Sequence, residues 1–98
     1  MTREQIIAIL KANADTLRAE GVAHLALFGS RARGDEGADS DLDVLIDLVP
    51  GQRFSLLNLS GVGLAIEDAV GIPSQVVLRR SLDPDFAARI RDDLLEVF

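Results

Sequence analysis

The sequence predicts a small α/β domain in which a mixed β-sheet carries helices packed on it. Apolar residues recur at helical spacing in three segments, and short apolar or alternating runs stand between them. Glycine or proline marks most of the boundaries. The predicted order is helix, strand, strand, helix, strand, helix. A chain of 98 residues that is 48% hydrophobic and 27% charged fits one folded domain over residues 1–98.

The first third of the chain predicts a helix followed by a strand and a polar loop. Thr2 and Gln5 match a capping box, and Gly21 is the stop signal for a helix over residues 3–20. The nearly continuous apolar run HLALF at 24–28 predicts a central strand covered on both faces. The polar, glycine-containing segment 29–40 predicts a turn, a short helical piece and a loop.

The rest of the chain predicts a strand, a helix, a further strand and a last helix. Residues 41–48 alternate with a period of two, which predicts one core face and one acidic face. After a turn at Pro50-Gly51, apolar residues at helical intervals predict a helix over 56–70 that stops at Gly71. Residues 75–78 predict the third strand. Asp83 before proline predicts the N-cap of a helix that buries Phe86, Ile90, Leu94 and Phe98.

Composition excludes several classes of function. The formal net charge of -6 would repel a phosphate backbone, so we expect no general nucleic-acid binding. Without cysteine there is neither a disulfide framework nor a thiolate metal site. No apolar run approaches the roughly 20 residues that span a bilayer. The charged N-terminus lacks the pattern of a signal peptide, so we expect a cytoplasmic protein without membrane contact.

A pair of carboxylates on the second predicted strand is the main candidate for a metal site. Asp41 and Asp43 point the same way and lie roughly 6–7 Å apart along the strand. Mg²⁺ prefers a few carboxylates together with phosphate oxygens and water. The alternative is a solvated strand face. A calcium loop beginning at Asp39 is excluded, because its sixth and twelfth positions are Val44 and Pro50.

A glycine-serine turn stands ahead of the carboxylates. Gly29 and Ser30 follow an apolar strand, where glycine lets backbone N–H groups approach a phosphate. The alternative is an ordinary strand-to-helix turn with Ser30 as the cap. Arg31 and Arg33 are candidates for phosphate contacts, or for ion pairs with the acidic residues of the adjacent loop, Asp35, Glu36 and Asp39. Together with the carboxylate pair, these residues favour a nucleotide site.

The two motifs carry a family resemblance. Gly29-Ser30, ten intervening residues and Asp41-Leu42-Asp43 resemble the signature of the DNA polymerase beta-like nucleotidyltransferase superfamily. The chain length and the run FGSRARG at 28–34 are similar to its smallest branch, the minimal nucleotidyltransferases, often the antitoxin half of HEPN/MNT toxin-antitoxin pairs. The resemblance implies the nucleotidyltransferase fold, a triphosphate held by Gly29 and Ser30, and two Mg²⁺ ions bound by Asp41 and Asp43. A hydroxyl would then attack the α-phosphate and expel pyrophosphate.

The resemblance also implies a third carboxylate, and at that position the chain has Gln75. Glutamine neither balances metal charge nor accepts a proton. Two functions therefore stay open. One is an enzyme that transfers AMP from ATP to a partner macromolecule, and the other is a catalytically impaired module that binds a nucleotide or a HEPN-type toxin. The small size and high apolar fraction favour a homodimer or a hetero-complex.

Overall fold

The computed structural model describes all 98 residues and contains a four-stranded mixed sheet. Its strands are β1 (Val22–Phe28), β2 (Leu42–Leu48), β3 (Ser74–Leu78) and β4 (Leu95–Glu96). The spatial order is β3-β2-β1-β4. β2 runs antiparallel to β1 and parallel to β3, while β4 is antiparallel to β1. The prediction of a small mixed sheet is confirmed.

Five helices surround the sheet. They are α1 (Arg3–Ala12), α2 (Ala14–Ala19), α3 (Gly29–Arg33), α4 (Leu56–Val70) and α5 (Pro84–Ile90). Single 3₁₀ turns follow β3 at Arg79–Ser81 and α5 at Arg91–Asp93. None of these helices combines the length and the apolarity needed to cross a membrane.

The sheet buries its two faces unequally. One face forms the larger core with α1, α2 and α4, and β2 contributes Leu42, Val44 and Ile46 to it. The other face carries a smaller cluster in which Leu45 packs with Ala26, Phe28 and Ile90. β1 is therefore covered on both faces, as predicted. The second face of β2 is not wholly acidic, because Leu45 is 1% exposed beneath α5.

The first helix is broken, where the sequence predicts one continuous helix. Asn13 separates α1 from α2, and its side-chain amide donates a 2.8 Å hydrogen bond to the carbonyl of Ile9. Asparagine side chains compete in this way with the regular helical hydrogen bonds. Ala14 and Leu17 remain buried beyond the break, so the apolar spacing that suggested a single helix is satisfied by two.

The last helix begins as predicted, with Asp83 as its N-cap, but the prediction that it continues to Phe98 is wrong. α5 ends at Ile90, and the chain then turns and pairs with the free edge of β1. The Leu25 amide donates to the Phe98 carbonyl at 3.0 Å, and the Val97 amide donates to the Leu25 carbonyl at 2.8 Å. These bonds satisfy backbone groups that would otherwise stand unpaired along an exposed edge.

Candidate functional site

Gly29 joins the two halves of the sequence motif. It follows the last residue of β1 and begins α3 with φ +76°, a conformation that glycine adopts without strain. A Cβ atom built on Gly29 would overlap the Oδ2 atom of Asp43. Glycine is therefore required here both for its backbone angle and for the space that the carboxylate occupies.

The structure does not use Ser30 as a helix cap. Ser30 is the second residue of α3, the cap position belongs to Phe28, and no side chain caps this helix. The Ser30 carbonyl accepts the backbone N–H groups of Gly34 and Asp35, which closes the turn at the end of α3. Ser30 directly follows Gly29, the residue that lies against Asp43, so it is placed next to the aspartates.

The two aspartates lie at the start of β2 on the face opposite the larger core. Asp41 is exposed just before the strand, and Asp43 is half-buried within it. Burial raises the pKa of Asp43, and the neighbouring Asp41 charge raises it further, while the Arg33 charge acts in the opposite direction. Two carboxylates that repel each other in this way fit a divalent cation, which would neutralise both.

Gln75 lies beside this pair on the neighbouring strand. Its Cα is the register partner of Asp43 in the parallel β2–β3 ladder, and it is exposed. Two other acidic residues, Glu67 and Asp47, are engaged elsewhere. The Glu67 carboxylate accepts the Ser74 backbone N–H at 3.2 Å, and the Asp47 carboxylate accepts from Arg79 at 2.8 Å. No group of three His, Cys, Asp or Glu side chains is arranged to hold a metal.

Arg33 is near the aspartates but is held by other carboxylates. Its guanidinium donates to Asp35 at 3.1 Å and to Asp93 at 2.9 Å, and these hydrogen bonds raise the pKa of Arg33. Asp35 was one of the alternative partners suggested by the sequence. Asp93 was not, because sixty residues separate it from Arg33 and only the packing of α3 against the last 3₁₀ turn brings them together.

Arg31 has a different position from Arg33. It is 8% exposed, and its Nε atom donates a 2.9 Å hydrogen bond to the carbonyl of Ser40, the residue before Asp41. It also lines a cavity of about 210 Å³ between the loop at residues 38–40 and the segment at 71–73. Arg31 therefore anchors the loop that leads into the aspartate pair, a role that the sequence did not predict.

The whole chain matches a known protein family. Residues 4–97 match the family model described as the nucleotidyltransferase domain. The chain belongs to the nucleotidyltransferase domain family. The protein adenylyltransferase MntA of Thermococcus cleftensis is 32% identical over 100 residues, which cover 99% of this chain and 97% of that protein. This confirms the family resemblance read from the glycine-serine and aspartate motifs.

Solved structures share the fold of this nucleotidyltransferase domain. A structure described as a minimal nucleotidyltransferase superposes with a TM-score of 0.81 at 29% identity, over 97% of this chain and 95% of that one. A chain in the structure of the tri-AMPylated Shewanella oneidensis HEPN toxin with an MNT antitoxin superposes with a TM-score of 0.65 at 13% identity. The match covers 94% of this chain and 71% of that one. The predicted nucleotidyltransferase fold is therefore confirmed.

Proposed function

We propose that this nucleotidyltransferase domain binds ATP with Mg²⁺ and transfers AMP to a hydroxyl group of a partner protein of the HEPN toxin type. The protein adenylyltransferase named above is similar over nearly the full length of both chains. The fold is shared with a structure that contains an AMPylated HEPN toxin and an MNT antitoxin. These likenesses support both the transferred group and the class of partner.

The contact between Gly29 and Asp43 is the observation that carries the proposal. It fixes the turn that would receive the phosphates directly against a carboxylate that would bind the metal. A side chain at position 29 would displace the Asp43 carboxylate, because the space for a methyl group is already occupied by it. The motif therefore acts as one unit in three dimensions, as a site for a metal-bound triphosphate requires.

Each residue at the site has a chemical task in this reaction. Asp41 and Asp43 would hold Mg²⁺, and Gly29 and Ser30 would bind the triphosphate through the turn. When bound, Mg²⁺ supplies positive charge that stabilises the attacking and leaving oxygens. The acceptor oxygen bonds to the α-phosphorus, the bond to the β-phosphate oxygen breaks, pyrophosphate leaves, and the hydroxyl proton passes to water.

Gln75 favours a second candidate function. It lies in register with Asp43, where a carboxylate could take the proton of the acceptor hydroxyl, but an amide has no such capacity. A general base typically contributes about 10²–10⁴-fold to such a reaction. With the amide in place, the chain could keep the nucleotide and act by holding its partner. The amide of Gln75 is therefore the feature that favours a binding module over a catalyst.

Transfer of labelled AMP tests the proposal. The chain is incubated with ATP labelled on the α-phosphate, Mg²⁺ and a HEPN-type protein, and label on the partner is measured. We expect the wild-type chain to transfer label to the partner, and we expect Asp43→Asn to abolish this transfer. Asp47→Asn is the matched control, because Asp47 is on the same strand but is paired with Arg79, and it should retain transfer.

The variant Gln75→Glu distinguishes the two candidates. It adds a carboxylate of nearly the same size, and we expect transfer to rise by about 10²-fold or more. If the wild-type chain transfers no label and Gln75→Glu does, the result supports the binding module. If neither protein transfers label although both bind the partner, the hypothesis of an enzyme is contradicted.

A further inference from the structure

Arg33, the last residue of α3, is held by two carboxylates. Its Nε atom donates to Asp35 at 3.1 Å, and its Nη1 atom donates to Asp93 at 2.9 Å. The third guanidinium nitrogen, Nη2, has neither a hydrogen bond nor an ion pair within the chain. An arginine side chain has many rotamers, so two charge-assisted bonds restrict it more than one does. The guanidinium is therefore fixed while part of it stays free to bind a further acceptor.

The two carboxylates differ in what they attach Arg33 to. Asp35 lies two residues beyond the end of α3, and its side chain is 61% exposed, so it belongs to the same surface loop. Asp93 is 60 residues away along the chain, and its side chain is only 25% exposed. Only Asp93 therefore links Arg33 to a distant part of the fold.

The backbone that carries Asp93 is fixed on both sides. Asp93 closes the 3₁₀ turn Arg91–Asp93, which follows α5 directly. On one side of the turn, Ile90 is buried in the smaller cluster of the sheet. On the other side, Leu94 packs against the same cluster, and β4 then pairs with β1. The Asp93 carboxylate is therefore supported by the strand that leads into Gly29.

Arg33 also lies close to the candidate site. It ends the helix that begins at Gly29, the residue that lies against Asp43, and its charge acts on Asp43. Guanidinium groups donate strong, directed hydrogen bonds to phosphate oxygens. The unpaired Nη2 group is therefore a donor available near the place where the proposed nucleotide would have its phosphates.

The two carboxylates also determine how Arg33 can act. Their combined negative charge exceeds the positive charge of one guanidinium, so the three side chains together do not attract an anion by net charge. What remains is the direction of the unpaired N–H groups, which a fixed guanidinium can present to a phosphate oxygen. Asp93 therefore contributes orientation, and an uncharged oxygen acceptor in its place should serve nearly as well.

We infer that Asp93 is a positioning residue for AMP transfer. Its ion pair holds the Arg33 guanidinium beside Asp43, where the unpaired Nη2 group donates to a phosphate oxygen of the bound nucleotide. The inference rests on the proposed function, because the nucleotide supplies the phosphate. The last 3₁₀ turn, which is remote in sequence from the glycine-serine and aspartate motifs, thereby becomes part of the site.

Transfer kinetics test the role of Asp93. Asp93→Ala should lower kcat for AMP transfer at least about tenfold, with a smaller change in the KM for ATP, because a misplaced guanidinium no longer stabilises the transition state. Asp93→Asn keeps an oxygen that accepts from Arg33, so it should recover most of that loss. Asp92→Ala is the matched control and should keep the wild-type kcat, since Asp92 is exposed in the same turn and in no ion pair.

The Arg33 side chain can also be observed without any transfer. In NMR spectra of the isotope-labelled chain, its guanidinium N–H signals should be resolved in the wild type and in Asp93→Asn. In Asp93→Ala they should be averaged by rotation, as expected for Arg53, which is exposed and in no ion pair. Adding inorganic triphosphate with Mg²⁺ should shift the Arg33 signals of the wild type and not those of Asp93→Ala. Circular dichroism checks that each variant is folded.

Several results would overturn the inference. Arg33 signals that are averaged in the wild type, or that stay resolved in Asp93→Ala, would do so. So would an Asp93→Ala variant with the wild-type kcat, or an Asp93→Asn variant as slow as Asp93→Ala. A wild-type chain that transfers no label contradicts the proposed function. The role of Asp93 is then decided by inorganic triphosphate, and wild-type Arg33 signals that it does not shift would overturn that role too.

Discussion

Asp43 combines two environments that oppose its charge. It is half-buried on β2, and it stands near the charge of Asp41. The burial, which is the larger influence, does not exist in the unfolded chain, so the folded protein binds the Asp43 proton more tightly than the unfolded chain does. An ionised Asp43 is therefore a cost to the free protein and a benefit once a cation is present.

The pH dependence of folding follows from this raised pKa. The stabilising effect of the Asp43 proton is complete below the ordinary aspartate pKa of about 3.9, and it is lost as pH rises through the higher pKa of the folded state. Without Mg²⁺, Asp43→Asn should therefore melt above the wild type at pH 7, and the difference should shrink as pH falls through the raised pKa of Asp43 and vanish below about pH 4. Thermal unfolding across pH measures this.

Asp92→Asn is the control for the melting series. Asp92 is exposed and in no ion pair, so its substitution should leave the melting temperature of the chain unchanged at each pH. A lower melting temperature for Asp43→Asn at pH 7 would contradict the electrostatic account, because it would mean that the ionised carboxylate stabilises the free fold.

The two arginines show the limit of sequence inference at single residues. They have the same charge and are two positions apart in one short helix, so the sequence predicts the same role for both. The structure separates them, because Arg31 points inward to the Ser40 carbonyl and Arg33 points outward to Asp35 and Asp93. Which side of α3 packs inward depends on its neighbours, and no local pattern contains that information.

At the level of secondary-structure elements, the turn from β1 to α3 allows the most specific testable prediction. Alanine at a positive φ costs about 1–3 kcal/mol in unfolding free energy, and at Gly29 it would also displace Asp43. Gly29→Ala should lower the stability of the chain and abolish Mg²⁺-dependent ATP binding. Denaturant unfolding and calorimetric titration measure the two effects.

Gly51→Ala is the matched control for the turn. Gly51 has φ +81°, but no atom lies within 4 Å of the position of its Cβ. This variant should lose about 1–3 kcal/mol for the backbone angle alone and still bind ATP. Loss of binding in both variants would show that the effect comes from general destabilisation, which would remove the argument from the Gly29–Asp43 contact.

Elements with strong local signals were predicted from the sequence, and those fixed by distant partners were not. The helix α4 and the alternating strand β2 carry clear periodicity and stop signals, and both are confirmed. The strand β4 has only two residues, and it forms because β1 offers an unpaired edge. An apolar C-terminal segment reads equally well as the end of a helix, so only the tertiary structure decides.

For the whole molecule, the glycine-serine and aspartate motifs predicted the family because they are short, local and chemically constrained. Gly29 and Asp43, which the sequence assigns to one candidate site, lie against each other in the fold. The sequence did not predict that a buried Arg31 supports the loop before Asp41, because that contact depends on packing. Gln75 was predicted to lie beside the carboxylates, and the register of β3 against β2 puts it next to Asp43.

The most direct test of the nucleotide site is calorimetric titration of ATP into the full chain with Mg²⁺ present. We predict saturable binding with one ATP per chain that disappears when Mg²⁺ is chelated and in Asp43→Asn, but persists in Asp47→Asn. Binding that is absent from the wild type, or that is indifferent to both Mg²⁺ and Asp43→Asn, would contradict a metal-bound triphosphate at this site.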